Sequence, residues 1–138
     1  MEVYRISAIT LVVRSMAKSC NFYSRIPGFK LVYGGPAEPF STFEVGNKNA
    51  GMHLNLELTS SGLDEKNLKQ ARDFGRIIFH AKDVDQLYFH LKSDAYFSKL
   101  ASFESEPADA SWGERFFHIR DPDGYQLSFA KPIVKAGS

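Results

Sequence analysis

The sequence predicts an α+β fold made of two tandem βαβββ modules within a single domain, residues 1–138. Each half contains a strand-like run of alternating apolar residues, followed at once by a residue that can cap a helix. The two capping residues, Ser15 and Asp83, are 68 positions apart, and the same offset relates Ala8 to Arg76. Turns rich in glycine and proline then separate further short strands in both halves. The same order of secondary-structure elements therefore occurs twice in the chain.

The first module covers residues 5–59 and begins with a strand over 5–13. Ser15 caps a helix that continues to about Arg25 and ends at Pro27. The pattern then predicts three strands bounded by turns: Lys30–Tyr33, Ser41–Val45 and Met52–Leu58.

The second module, residues 74–131, follows a polar connection over 60–73 that can include a short helical turn. It repeats the order with a strand over 76–81 and a helix capped by Asp83. Apolar side chains of this helix recur at spacings of three and four, at Val84, Leu87, Tyr88 and Leu91. The remaining predicted strands lie at Ser102–Ser105, Arg115–Arg120 and Tyr125–Phe129.

Composition limits the class of partner. The net charge is +1 and the basic residues are dispersed, which argues against nucleic acid or an anionic membrane surface. Cys20 is the only cysteine, so no internal disulfide can form, and a lone thiol fits a reducing compartment. The N-terminus lacks the features of a signal peptide, and no apolar run approaches the roughly 20 residues of a membrane span. We therefore expect a soluble, cytoplasmic protein.

Each module supplies one helix, which covers only one face of its strands. The opposite faces are mixed in polarity and hold the candidates for ligand binding: Thr10, His53, Asn55, Glu57, Arg76, His80, Phe116, His118, Gln126 and Ser128. Trp112, in the loop before the last hairpin, joins them because it can stack on a flat ligand. The candidates for acid–base catalysis are Glu57, His53, His80 and His118. A purely structural role stays open for each histidine.

Several motifs together resemble one family. They are Ile9–Val13 before the capped helix, Phe22-Tyr23, Pro27-Gly28-Phe29, Ser111–Arg115 and Asp121–Tyr125. Over residues 5–131 the chain is similar to the vicinal oxygen chelate superfamily, which includes glyoxalase I, extradiol dioxygenases and bleomycin resistance proteins. The resemblance implies that the modules form an open, curved β-barrel-like sheet around a cavity, and that the protein is a homodimer.

The resemblance also implies where a divalent metal would bind. One ligand comes from the first strand and one from the last strand of each module, and here those positions hold Ala8, Glu57, Arg76 and Ser128. Alanine has no donor atom, arginine is a fixed cation and serine is a poor ligand, so only Glu57 keeps a suitable ligand type. We therefore predict no metal and no cofactor, with an atypical site of Glu57 and histidines as the alternative.

Three functions remain open. The first is metal-independent binding or sequestration of a small molecule in the cavity, which resembles the bleomycin resistance branch. The second is a lyase, isomerase or epimerase of glyoxalase type that uses an atypical metal site or Glu57 with a histidine. The third is a regulatory or structural domain whose cavity is filled by its own side chains. An ion pair between Glu57 and Arg76 is expected, and Arg76 either also grips a ligand carboxylate or phosphate or only joins the modules.

Overall fold

A computed structural model describes residues 1–47, 49, 51–60 and 65–133. The chain divides into two units, Met1–Asp64 and Glu65–Ser138. Each unit contains one open sheet of mixed parallel and antiparallel strands together with its helices. The predicted α+β class and the repeated order of elements are confirmed. The expected curvature of the two sheets around a shared cavity stays a prediction.

The first unit contains one helix and four strands: β1 (Ala8–Val13), α1 (Met16–Ser24), β2 (Phe29–Tyr33), β3 (Phe40–Val45) and β4 (Met52–Leu58). The strands lie in the order β1-β4-β3-β2, with β1 parallel to β4 and the other pairs antiparallel. As predicted, Ser15 caps α1, because its hydroxyl oxygen accepts a hydrogen bond from the N–H of Lys18 at 3.2 Å. The first strand begins at Ala8 rather than at residue 5, since the pairing with β4 begins there.

The second unit contains three helices and five strands among its described residues: α2 (Glu65–Asp73), β5 (Arg76–His80), α3 (Val84–Ser93), α4 (Ala95–Leu100), β6 (Ser102–Phe103), β7 (Ala108–Asp109), β8 (Glu114–Arg120) and β9 (Gln126–Pro132). The sheet order is β5-β9-β8-β6, and β7 also pairs with β8. Strands β5 and β9 are parallel. The carboxylate of Asp83 caps α3 by accepting from the N–H of Gln86 at 3.0 Å, as the sequence predicts.

The sequence pattern does not predict α4 or β7, and in place of α2 it predicts a polar connection that can include a short helical turn. Helix α2 occupies most of that connection over 60–73, of which residues 61–64 lie outside the described part of the chain. Helix α4 begins where the Asp94 carboxylate accepts from the N–H groups of Tyr96 and Phe97, both at 3.1 Å. Asp94 directly follows the last residue of α3, so the apolar periodicity of the sequence does not show where α3 ends and α4 begins. Strand β7 has two residues, too few for an alternating pattern.

Alternation along the strands separates buried apolar faces from open faces. The buried apolar side chains of the first unit include Leu11, Val13, Phe22, Tyr23, Phe43, Leu54 and Leu56. Those of the second unit include Ile77, Leu91, Phe97, Phe117, Ile119, Leu127 and Phe129. The strand members of both sets are alternate residues, which confirms the predicted faces. Within the described residues, no helix has both the length and the apolar character needed to cross a membrane.

The turn at Asp121–Tyr125 joins β8 to β9. Oδ1 of Asp121 accepts hydrogen bonds from the N–H groups of Asp123 at 2.9 Å, and of Gly124 and Tyr125 at 3.0 Å each. Gly124 has φ +99°, a conformation that residues with a side chain rarely adopt. The turn therefore fixes the register of β8 against β9, on which the candidate site depends.

Candidate functional site

The second sheet has one face opposite its buried apolar face, and this open face carries most of the predicted site residues. The register of β5, β9 and β8 arranges its side chains in three rows: Arg76-Gln126-Arg120, Ile78-Ser128-His118 and His80-Ala130-Phe116. We call these nine residues the second open face. Neighbouring strands lie about 4.8 Å apart, so side chains in one row are within contact range of each other.

At one end of the second open face, Glu104 holds two row members in place. Its Oε1 accepts a hydrogen bond from Nε2 of Gln126 at 2.9 Å and pairs with Nε of Arg120 at 3.1 Å. Arg120 also donates from Nη1 to the carbonyl oxygen of Gly124 at 2.9 Å. Burial raises the pKa of Glu104, but the hydrogen bonds from Gln126 and Arg120 outweigh this effect and hold the pKa below its usual value. Glu104 therefore stays ionised and fixes Gln126.

Arg76, in the same row, has an exposed side chain that Glu104 does not hold. No hydrogen bond or ion pair joins its guanidinium to another described residue of its unit. In contrast, the guanidinium of Arg115 is fixed by Asp85 at 2.7 Å and by Asp109 at 2.9 Å. The expected ion pair between Arg76 and Glu57 would join residues of different units and stays a prediction.

His118 lies in the middle row, and its ring centroid is 4.8 Å from that of Phe116. Its Nδ1 is buried and has no hydrogen-bond partner among the described residues. An unpaired buried polar atom costs about 1–3 kcal/mol, so Nδ1 is a point at which a bound group would be favoured. Burial lowers the pKa of His118; the charges of Arg76 and Arg120 lower it further, and Glu104 opposes them. The imidazole is therefore neutral near pH 7.

The lowered pKa of His118 predicts that stability depends on pH. Below the usual imidazole pKa of about 6.5, the unfolded chain binds a proton here that the folded chain binds less readily. The free energy of unfolding should therefore fall as the pH decreases from about 7 to about 5.5, as urea unfolding would measure. His118→Gln should weaken this dependence, whereas His90→Gln, at an exposed helical site, should not. Identical pH profiles for the parent and both variants would contradict the assignment.

Aromatic residues form the other end of the second open face. Trp112 is 66% exposed, and its indole N–H donates to Oε1 of Glu114 at 3.0 Å. Its ring stacks on Phe116, with centroids 5.7 Å apart. Oε2 of the same Glu114 lies 3.3 Å from Nε2 of His80. Glu114, which sequence reasoning missed, therefore orients both Trp112 and His80 and leaves the indole available for stacking.

The middle row also contains an apolar side chain and a buried hydroxyl. Ile78 is 57% exposed, although it belongs to a strand. Ser128 lies between Ile78 and His118 in the register and is only 3% exposed. Along the second open face, the row that contains Arg76 is therefore followed by the row that contains Ile78 and Ser128, and then by the aromatic end at Phe116 and Trp112.

The first sheet also has an open face, whose rows are Ala8-His53-Glu44, Thr10-Asn55-Thr42 and Val12-Glu57-Phe40. Asn55 donates from Nδ2 to Oγ1 of Thr10 at 3.2 Å, and its Oδ1 accepts from the hydroxyl of Thr42 at 2.8 Å. The predicted site residues Thr10 and Asn55 are therefore brought together, but they bond to each other. His53 and Glu57 lie in different rows.

The register also shows that Glu57 and Ser128 lie in different rows relative to the first strand of their own units. Ser128 is opposite Ile78 in the second sheet. At the repeat offset of 68, Ile78 corresponds to Thr10, which is opposite Asn55 in the first sheet. By its place in the register, Asn55 is therefore the residue of the first unit that corresponds to Ser128. Glu57 is opposite Val12, one row further along. A difference of one row keeps a side chain on the same face of the sheet, so the alternation of residues along a strand does not reveal it.

The residues at the family's metal positions do not fit a divalent metal. The set Ala8, Glu57, Arg76 and Ser128 contains an alanine, a single carboxylate, a guanidinium and a hydroxyl, and the guanidinium repels a dication. Among the described residues, no group of three histidine, cysteine, aspartate or glutamate side chains could hold a metal ion. We derive no chemistry through a metal at this position.

Comparison with known proteins agrees with the fold. The model of the Glyoxalase/Bleomycin resistance protein/Dioxygenase superfamily matches residues 5–129. A glyoxalase/bleomycin resistance protein/dioxygenase from Nocardioides is similar in structure, with 21% identity, a TM-score of 0.67, and coverage of 100% of this chain and 91% of that one. A bleomycin resistance determinant encoded on the transposon Tn5 gives 19% identity, a TM-score of 0.67, and coverage of 95% and 100%.

A virulence protein from Salmonella typhimurium gives 18% identity, a TM-score of 0.69, and coverage of 96% of this chain and 100% of that one. At these identities the solved structures establish the fold alone. No curated protein matches the sequence. The family model covers nearly the whole chain, and the two βαβββ units agree with it. The chain belongs to the Glyoxalase/Bleomycin resistance protein/Dioxygenase superfamily.

Proposed function

We propose that the chain binds a small organic anion on the second open face, without a metal ion. The observation that carries this proposal is the exposed guanidinium of Arg76, which makes no ion pair with a described residue of its unit. It lies on the same face as a buried imidazole nitrogen of His118 that has no partner among the described residues. Both are features that a bound anionic ligand would complete. The bleomycin resistance determinant among the similar structures supports a binding role as an analogy only.

Charge selects the anionic class of ligand. Arg120 pairs with the carboxylate of Glu104 and Arg115 with those of Asp85 and Asp109, whereas Arg76 has no carboxylate partner among the described residues of its unit. A guanidinium presents parallel N–H groups that match a carboxylate or a phosphate. The imidazole of His118, neutral near pH 7, can also present a ring N–H to the same ligand.

The rest of the face favours a ligand with a flat ring. Strand geometry separates the Arg76 and Phe116 positions by roughly 16 Å between Cα atoms, and side chains span part of that distance. A ligand anchored at Arg76 therefore crosses the exposed Ile78 before it reaches Phe116 and Trp112. An aryl or arylalkenyl carboxylate has an anionic group, an apolar body and a ring in that order.

The proposal is tested with trans-cinnamate and its uncharged analogue cinnamyl alcohol, measured by isothermal titration calorimetry. Cinnamate should bind, cinnamyl alcohol should bind at least about tenfold more weakly, and Arg76→Ala should cost cinnamate about tenfold or more, as expected for a charge-assisted hydrogen bond. Lys131→Ala is the matched control, since it removes an exposed cation from the opposite face of the adjoining strand β9.

Two results would contradict the proposal. One is equal affinity for the acid and the alcohol. The other is an Arg76→Ala protein that keeps its cinnamate affinity but melts at a lower temperature, because that outcome would make Arg76 a structural residue. The expected homodimer and the cytoplasmic location stay predictions.

A further inference from the structure

Three charged side chains lie near His118 on the second open face, and each comes from a different part of the second unit. Arg76 is on β5, Arg120 is on β8 two residues beyond His118, and Glu104 follows β6. The register places Arg76 two strands away and one row along, which is roughly 12 Å between Cα atoms, and an extended arginine spans about half of that distance. The charges of His118 and Arg76 are therefore close enough to affect each other.

Two of these three charges offset each other. The carboxylate of Glu104 pairs with Nε of Arg120 at 3.1 Å, and the backbone N–H of Glu104 donates to the carbonyl oxygen of His118 at 3.0 Å. Arg76 has no carboxylate partner among the described residues of its unit. The charge near His118 that a bound anion could offset is therefore that of Arg76.

One further titratable pair lies toward the aromatic end of the same face. Nε2 of His80, at the end of β5, is 3.3 Å from Oε2 of Glu114 on β8. Strand β9, between β5 and β8, contributes three uncharged side chains to the face: Gln126, Ser128 and Ala130. Because His80 already has a carboxylate partner, a ligand anchored at Arg76 would act mainly on His118.

The free protein disfavours the protonated form of His118. A cationic imidazole has two N–H groups, and Nδ1 is buried without a hydrogen-bond acceptor among the described residues. Burial is the largest cause of the lowered pKa, and the charge of Arg76 is the next; Glu104 opposes them, and Arg120 adds to them. An anion bound to Arg76 would offset the second of these causes.

We propose that the second open face takes up a proton from solvent together with its anionic ligand, and that the imidazole of His118 receives this proton. The inference rests on the proposed function, because the ligand acts on His118 by offsetting the charge of Arg76. Linkage requires the reverse effect to be of equal size, so the protein with a protonated His118 binds the anion more tightly. The ligand is therefore held most tightly in mildly acidic solution and is released as the pH rises.

Isothermal titration calorimetry with cinnamate at two pH values tests this inference. Cinnamate stays ionised between about pH 8 and about pH 5.5, since side-chain carboxylic acids titrate near about pH 4, so a change in affinity reports on the protein. The parent should bind cinnamate at least about threefold more tightly at the lower pH. Two buffers of different ionisation enthalpy should also show net proton uptake on binding.

The variants assign the proton to one residue. His118→Gln should bind cinnamate with the same affinity at both pH values, because the glutamine side chain does not titrate in this range. His90→Gln is the matched control, since His90 is an exposed residue of α3, and it should keep the pH dependence of the parent.

Proton NMR gives a second measurement that does not depend on the His118→Gln variant. The ring resonance of His118 should titrate at a higher pH when cinnamate is bound, and also in Arg76→Ala without a ligand, because both changes offset or remove the neighbouring charge. Lys131→Ala removes a cation from the opposite face of β9 and should leave the midpoint of this titration unchanged.

Equal affinity for cinnamate at the two pH values would overturn this inference and leave the anion site in place. The same holds for a His118 resonance whose midpoint is identical in the parent and in Arg76→Ala. If cinnamate binds at neither pH, both the proton coupling and the proposed function are wrong.

Discussion

Replacing Phe117 with alanine is expected to lower the free energy of unfolding by about 3–5 kcal/mol. Phe117 is fully buried, and its ring lies 5.3 Å from both Tyr88 and Phe129 between ring centroids. It is also directly opposite Phe129 in the register of β8 and β9. Truncation would leave a cavity between α3 and the hairpin that carries His118, so both stability and ligand binding should suffer.

Urea unfolding followed by circular dichroism measures this loss. Phe89→Ala is the matched control, because Phe89 is an aromatic residue of α3 that is 65% exposed, and its loss should cost less than about 1 kcal/mol. Similar losses for the two variants would show that the buried face of the second sheet is assigned wrongly.

Replacing Asp121 with alanine is expected to lower the free energy of unfolding by about 2–4 kcal/mol. Asp121 is buried, and its Oδ1 accepts from three successive backbone N–H groups, those of Asp123, Gly124 and Tyr125. Alanine would leave these donors without that acceptor, and the register of β8 against β9 would no longer be fixed at the turn.

Asp121→Asn separates the hydrogen bonds from the charge. Its side-chain carbonyl can accept from the same N–H groups, so the asparagine variant should keep more than half of the stability that alanine loses. The midpoints of urea unfolding of the alanine and asparagine variants, each compared with the parent protein, measure this difference in stability. If alanine and asparagine were equally destabilising, the account based on the Oδ1 acceptor would be wrong.

Local signals in the sequence were sufficient for the architecture. Ser15 and Asp83 cap helices as predicted, because a cap is formed within four residues and needs no distant partner. Alternation assigned the buried faces correctly, since burial follows the period of the strand. The limits were α4 and β7, where one helix follows another without a break and a strand has only two residues.

The candidate site was predicted less completely, because it depends on which residues of distant strands become neighbours. The second open face gathers Arg76, Gln126, Ser128 and His118 as expected from their alternation. Alternation alone does not give the row within a face, and only the register shows that Asn55 lies opposite Thr10 and Glu57 opposite Val12.

Side-chain hydrogen bonds and ion pairs between distant segments could not be predicted from the sequence either. Glu104 orients Gln126 and Arg120, and Glu114 orients Trp112 and His80. Neither glutamate stands out in the sequence, since a glutamate near a strand end is commonly solvated. The contrast between Arg76, which has no carboxylate partner among the described residues of its unit, and the paired Arg115 and Arg120 became visible only in the structure.

Titration of cinnamate before and after metal removal tests most directly whether the second open face binds an organic anion without a metal. The purified protein should contain no stoichiometric zinc, nickel, iron or manganese by elemental analysis. Its affinity for cinnamate should be the same before and after treatment with a chelator. One equivalent of such a metal, with cinnamate binding lost on its removal and restored on its return, would contradict the account.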